Sequence, residues 1–405
     1  YGWKMKYHKE NLHYVYLFKE AQKCYAKLTN SFEKIQNWLM TSGLFVSDVN
    51  NKNCGGVHSF YDEKQNQYGF LYPEITGYFI SCLRFLNNQH NKEIFSQYAK
   101  YSSNWLIKIY KKYGSIIQGI DSNSKNTFSY SFDSAICAKG LLDCYELNNE
   151  KKYLDYAERI MTDLTNEAIS SDGSVKPFKD ISTNKYQESN QVWYKQEGCL
   201  HIKTAIPFFQ SYKISNDEKQ LKVGEKICKK IDTYQNSDGS IKLHTNSKII
   251  NLHTLCYALE GLLYGFYVTN NEEYHNRCER AVNWCLNQIN DDGSISLWFN
   301  SKYKSKAAYP ISQLIRILIL LDKINDNSKY KPQTKILYEF LKTLHGLNSD
   351  PKINGGFYEE YYKSLFGWKK RMRLNSWTTM FALQGISWLE NYENITFENA
   401  IKYLY

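Results

Sequence analysis

No stretch of the 405 residues is long and apolar enough to cross a bilayer, and the start Tyr1-Gly2-Trp3-Lys4 lacks the apolar core of a signal peptide. The expectation is a chain with no membrane span and a cytoplasmic address, although a start at Tyr rather than Met is compatible with removal of an upstream segment. The net charge of +10 is spread over nearly every segment, without the dense Lys/Arg block that would point to a nucleic-acid partner. It fits a solvated surface, or a preference for anionic glycans bearing uronate or phosphate. The ten cysteines form no CxxC pair and no short-spaced framework. Most, including Cys82, Cys137, Cys144, Cys256, Cys278 and Cys285, fall inside helical apolar patterns and read as buried free thiols of a reducing compartment. No convincing strand precedes a glycine-rich phosphate loop, so no cofactor is expected. No Pro/Gly/Ser linker divides the chain, which reads as one domain over 1–405 with 1–30 as an N-terminal helical extension.

What is abundant is aromatic surface. Aromatic residues make up 16% of the sequence, 35 of them Tyr, and the hydrophobic content of 42% is that of a globular protein rather than a disordered one. Beneath this composition lies an internal repeat of roughly sixty residues. It is marked by six glycine turns: Cys54-Gly55-Gly56-Val57, Tyr113-Gly114-Ser115-Ile116, Asp172-Gly173-Ser174-Val175, Asp238-Gly239-Ser240-Ile241, Asp292-Gly293-Ser294-Ile295 and Asn354-Gly355-Gly356-Phe357. Glycine admits the positive φ of a tight turn, and a preceding Asp or Asn bonds the local backbone.

A long amphipathic segment precedes each turn, as in 271–288, where Tyr274, Cys278, Ala281, Val282 and Cys285 recur at helical spacing. A more apolar helix follows each turn, starting near Pro73, Asp133, Gly198, His253, Pro310 and Ser376. Pro207 interrupts the third of these, 198–213, where a kink is expected. Six charged helices alternating with six apolar ones are satisfied by an inner ring inside an outer ring. The predicted fold is all-α: an (α/α)6 toroid, a six-hairpin barrel, with an extra N-terminal helix and a short C-terminal helix over 396–403.

The segments Tyr72-Pro73-Glu74-Ile75-Thr76-Gly77-Tyr78, and Leu252-His253 with Tyr257-Ala258-Leu259-Glu260-Gly261-Leu262, carry a resemblance to polysaccharide-biosynthesis proteins related to the six-hairpin glycosidases. The similarity is one of organisation and extends over nearly the whole chain. It implies a role in glycan metabolism or biosynthesis. The wider superfamily includes unsaturated-uronyl hydrolases, polysaccharide lyases, sugar epimerases, terpene cyclases and lanthionine cyclases, so the fold does not select the chemistry. The turn 288–294 also looks like the aromatic-and-glutamine repeat of triterpene cyclases, but the Asp-x-Asp-Asp and Asp-Asp-x-x-Asp motifs of cyclase chemistry are absent.

A toroid places its chemistry where the inner helices start. Glu74 and Asp133 lie at neighbouring starts and fit the paired carboxylates of glycoside hydrolysis, or equally acidic residues that helix dipoles favour. His201, His253, Tyr257 and Lys203 fit proton abstraction beside a carboxyl, as in a lyase or epimerase, or else hydrogen-bonded core positions. Tyr72, Trp193, Trp298 and Trp377 offer aromatic planes for pyranose rings, against the alternative of packing between helices. In the loop after the last turn, Glu359 offers an acid, and Arg371 and Arg373 a carboxylate clamp or a solvated loop. Cys199, His201, His253 and Cys256 offer zinc ligands at an undiagnostic spacing, so no metal site is assigned. The leading expectation is an enzyme acting on an anionic polysaccharide or oligosaccharide, as a hydrolase or a lyase or epimerase. The alternatives are a non-catalytic glycan-binding scaffold of polysaccharide assembly and an isoprenoid or peptide cyclase.

Overall fold

A computed structural model describes residues 31–120, 128–188 and 192–405. The N-terminal helical extension over 1–30 lies outside the described residues. Thirteen α-helices of five or more residues follow one another along the described residues. They are α1 (Ser31–Thr41), α2 (Pro73–His90), α3 (Glu93–Tyr113), α4 (Ser131–Asn148), α5 (Lys151–Asp163), α6 (Ala205–Ser215), α7 (Glu218–Lys229), α8 (Leu252–Thr269), α9 (Glu272–Leu286), α10 (Ala308–Ile324), α11 (Lys331–Lys342), α12 (Ser376–Glu390) and α13 (Phe397–Ile401). The odd-numbered helices α1 to α11 are half-buried and form an outer ring. The even-numbered ones form an inner ring and are buried on nearly every face, as α4 is from Ser131 to Cys144 and α8 from Leu252 to Gly265. α12 packs on α2 and on α1, which closes the circle, so the chain folds as an (α/α)6 toroid.

The glycine turns lock the outer ring together. After five of the six outer helices the turn glycine has a positive φ, and its Cα lies against the backbone of the next outer helix. A Cβ on Gly173, which follows α5, would stand 2.1 Å from the Lys226 carbonyl of α7. Gly355, which follows α11, stands the same way against the Lys34 carbonyl of α1 and seals the ring. No side chain fits at either place. Gly114 departs from the expected pattern: it is the left-handed C-cap of α3 (φ 66°), and a Cβ there would meet nothing within 4 Å. The junction from α3 to α5 relies instead on the Tyr110 hydroxyl, which donates to Asp163 Oδ2 at 2.6 Å.

Two sequence expectations are corrected. Short antiparallel strands are present, in four small sheets ordered β11-β1-β2, β10-β9-β8, β3-β4-β5 and β6-β7. Their ranges are β1 (Phe60–Asp62), β2 (Gln67–Tyr68), β3 (Phe128–Tyr130), β4 (Phe178–Asp180), β5 (Lys185–Gln187), β6 (Ile250–Asn251), β7 (Trp298–Phe299), β8 (Ser305–Ala307), β9 (Glu360–Ser364), β10 (Gly367–Lys370) and β11 (Arg373–Asn375). β3, β6, β8 and β11 each run straight into an inner helix, so the residue before the helix keeps extended backbone. The pairing of Phe60 with Asn375 joins the first hairpin to the last. The third inner helix opens as a 3-10 turn over Cys199–Thr204 and becomes α-helical at Ala205. Pro207 therefore sits in the first α-helical turn, and the irregularity, the 3-10 turn, precedes it.

The centre of the inner ring is charged. Glu260 of α8 accepts from Lys203 Nζ at 2.6 Å and from the Arg316 guanidinium of α10, and all three side chains are fully buried. Arg316 also donates to Gln384 Oε1 at 2.8 Å and to the Tyr405 carbonyl at 2.7 Å. A second cluster joins Asp143 of α4 to Lys139 at 2.6 Å, to Arg84 at 2.9 Å and to Gln210 at 2.8 Å. Glu260 and Asp143 thus each meet at least two donors, as burial demands. The described cysteines are free thiols, all buried except Cys54. Among the described residues no helix is long and apolar enough to cross a membrane.

Candidate functional site

All six inner helices deliver side chains from their N-terminal ends to one cavity of about 350 Å³. Glu74 and Ile75 come from α2, Phe132 and Asp133 from α4, Leu200 and His201 from the 3-10 turn, His253 and Tyr257 from α8, Tyr309 from α10 and Trp377 from α12. Tyr72, Gln118, Tyr130, Pro177, Trp193, Tyr194 and Glu359 complete the wall from the connecting loops. Extended residues before each helix hold its first turn square to the cavity. Asn251, for instance, caps α8 by accepting from Thr254 N–H at 3.0 Å, which places His253 in the first turn.

Burial pushes the Glu74 carboxyl up to about 7, against the opposing influence of Tyr72 and the Lys203 charge. Asp133 is held well above the usual carboxylate range, first by burial and then by the neighbouring Glu74, while Tyr72 opposes. Tyr72 lines the cavity beside both acids, and Asp133 Oδ2 has no partner within the protein. Two neighbouring buried carboxyls, both raised above their usual range, can exchange protons with a substrate. Glu359 is a third acid raised to about 7, by burial and by Glu360, against Arg371 and Arg373.

Burial disfavours the charged form of both histidines that line the cavity. Burial lowers His201 to about 4, and neither of its ring nitrogens has a hydrogen-bond partner. His253 is lowered to about 3, chiefly by burial, and its Nδ1 lies 2.5 Å from Gln313 Oε1. Gln313 Nε2 donates to Glu260 Oε2 at 3.2 Å, and the carboxylate can only accept. Gln313 therefore accepts through Oε1, His253 carries its proton on Nδ1, and Nε2 is left as a base. The His253 ring is held between Tyr257 and Tyr309, with centroids 4.2 and 4.6 Å away.

Of the residues singled out in the sequence, Tyr72, Glu74, Asp133, Trp193, His201, His253, Tyr257, Glu359 and Trp377 line this cavity, and four do not. Lys203 lies deeper, enclosed by Glu260 and by the rings of Tyr78, Tyr257 and Phe381. Trp298 stands behind Trp193, ring edge to ring, at 6.4 Å. Arg371 pairs with Glu360 at 2.8 Å and with Glu359 at 3.9 Å, and Arg373 pairs with Asp62 at 3.1 Å while covering Phe60. No lysine or arginine lines the cavity among the described residues. Cys256 donates its thiol to the Pro310 carbonyl at 3.7 Å, and no group of three His, Cys, Asp or Glu suited to a metal occurs among the described residues. Sequence reasoning missed Gln118 and the support that Gln313 and Glu260 give His253. Glu260 lies seven residues after His253 on one helical face, a spacing that marks it as a neighbour beneath.

No family model matches the chain, and no curated protein matches its sequence. Solved structures do. A cellobiose 2-epimerase from Bacillus thermoamylovorans superposes with a TM-score of 0.71 at 13% identity, over 90% of this chain and 99% of that one. A D-mannose isomerase gives 0.73 at 10% identity, over 91% and 98%. An unsaturated glucuronyl hydrolase specific for heparin gives 0.66 at 11% identity, over 91% and 98%. Over nine-tenths of its length, the chain shares the six-hairpin toroid of these sugar epimerases, isomerases and glucuronyl hydrolases.

Proposed function

We propose that this chain is a carbohydrate-active enzyme that cleaves a glycosidic bond at the end of a neutral oligosaccharide, with Asp133 as acid and Glu74 as base. The observation that carries this reading is the pair of buried carboxyls at adjacent inner-helix starts, both raised by burial and Asp133 further by the neighbouring Glu74. Asp133 gives its proton to the glycosidic oxygen as the bond to the anomeric carbon breaks. Glu74, as carboxylate, takes a proton from the water that attacks that carbon. Tyr72, Trp193, Tyr309 and Trp377 cover the apolar faces of the sugar. The lining offers carboxyls and neutral imidazoles but no free cation among the described residues, which favours a neutral glycan over a uronate. The toroidal neighbours, named for sugar epimerisation, sugar isomerisation and glucuronyl hydrolysis, support the carbohydrate class.

Incubation with neutral oligosaccharides in ¹⁸O-water tests it. One ¹⁸O per cleaved bond is expected, and Asp133→Asn lowers turnover by roughly a hundredfold or more. Unchanged cleavage in both Asp133→Asn and Glu74→Gln would refute the assignment. A second reading, epimerisation, is favoured by the unpaired ring nitrogens of His201 and the free Nε2 of His253 in the same cavity. It predicts deuterium uptake from heavy water with no change in chain length. Binding with no change in mass in either solvent points to a scaffold.

A further inference from the structure

The two most exposed large apolar side chains among the described residues sit side by side, at the tip of the β9–β10 hairpin. Leu365 is 99% and Phe366 88% exposed. The tip is built rather than loose: the strands pair from Gly367 with Ser364 down to Lys370 with Tyr361, and Phe366 N–H and the Gly367 carbonyl both bond Ser364 Oγ. β9 pairs in turn with β8, which brings the 301–304 loop alongside and exposes Tyr303. Trp368 is half-exposed on the same sheet, with Lys306 and Lys363 against its ring.

Lys306 is paired with Asp292, and the charged residues of the two segments that form this tip are all basic. Lys302, Lys304, Lys363 and Lys369 are all exposed, and neither 361–370 nor 298–307 contains an acidic residue. An apolar tip, an aromatic collar and a ring of lysines match the three layers of an anionic lipid surface: acyl chains, interface and phosphate headgroups. A second copy of the chain fits poorly, because the edge strand β10 carries Lys369 and Lys370 and would meet like charge.

We infer that the 360–370 hairpin docks this protein onto an anionic membrane surface, with Leu365 and Phe366 entering the acyl region. The residue before β9 is Glu359, which lines the cavity. Six residues of extended chain span about 20 Å, so docking sets the cavity mouth at a short, fixed height above the lipid. Docking does not depend on the reaction assigned to the cavity.

Co-sedimentation of the full chain with vesicles of phosphatidylcholine, alone or mixed with phosphatidylglycerol, tests the inference. Binding to the mixed vesicles is expected, weakening as salt rises. The Leu365→Asp/Phe366→Asp variant, with an unchanged thermal melt, should bind at least about tenfold more weakly, and Lys363→Glu/Lys369→Glu should lose the preference for phosphatidylglycerol. Equal vesicle binding by wild type and the Leu365→Asp/Phe366→Asp variant overturns the inference. So does absence of vesicle binding, and in that case dimerisation abolished by the same variant would assign the tip to a second copy.

Discussion

Replacing Glu74 with Gln should make the protein more stable at alkaline pH while removing the proposed base. Folding moves this carboxyl from 4.5 to about 7, mainly by burial. Between those values the folded state holds a proton that the unfolded chain has released. The contribution is therefore complete below about pH 4.5 and is lost as pH rises through about 7. A shift of that size corresponds to roughly 3 kcal/mol, as an upper bound. The Gln variant carries no such penalty, so its stability relative to wild type should climb with pH by up to that amount. Urea denaturation of both proteins near pH 5 and near pH 8 measures it. A difference that stays constant over this interval, or that moves the opposite way, would refute the reasoning. The Glu74 charge is also, after burial, one of the causes that raise Asp133, so Asp133 should titrate lower in the variant, which carboxyl infrared bands can follow.

Three further outcomes follow from the packing. Gly355→Ala should destabilise by more than about 2 kcal/mol, because φ is +113° and the new Cβ meets the Lys34 carbonyl, whereas Gly114→Ala should cost about 1 kcal/mol; equal losses in chemical denaturation would contradict the ring-locking role of the first. Glu260→Ala strands the buried charges of Lys203 and Arg316 and should cost about 3–5 kcal/mol, while Gln313→Leu should spare most of the stability yet release His253 from its Nδ1–H form; ¹⁵N spectra of the imidazole report this, and an Nε2–H wild type would disprove the relay. Cys82, Cys137, Cys144, Cys199, Cys228, Cys256, Cys278 and Cys285 should resist a thiol reagent until the chain unfolds, as mass mapping of labelled peptides would show; rapid labelling of any of these in the folded protein would contradict its burial.

The sequence alone determined the toroid and the addresses of its inner helices. Amphipathic period, small-residue content and glycine turns are local properties, and each of the six repeats carries them. The position of Glu74, Asp133, His201 and His253 at helix starts was legible for the same reason. The strands were not, because each has only two to five residues and its partner can lie far along the chain, as Asn375 does for Phe60. Nor were the destinations of the cations. Arg373 and Lys203 lie close in sequence to residues that do line the cavity, yet each turns to a carboxylate elsewhere, and Arg371 pairs with Glu360 and the cavity-lining Glu359 from outside the wall, because an unpaired carboxylate in the interior costs more than a clamp left unbuilt. The tautomer of His253 depends on Gln313, sixty residues away, and through it on Glu260, a chain of hydrogen bonds that exists only once α8 and α10 pack side by side.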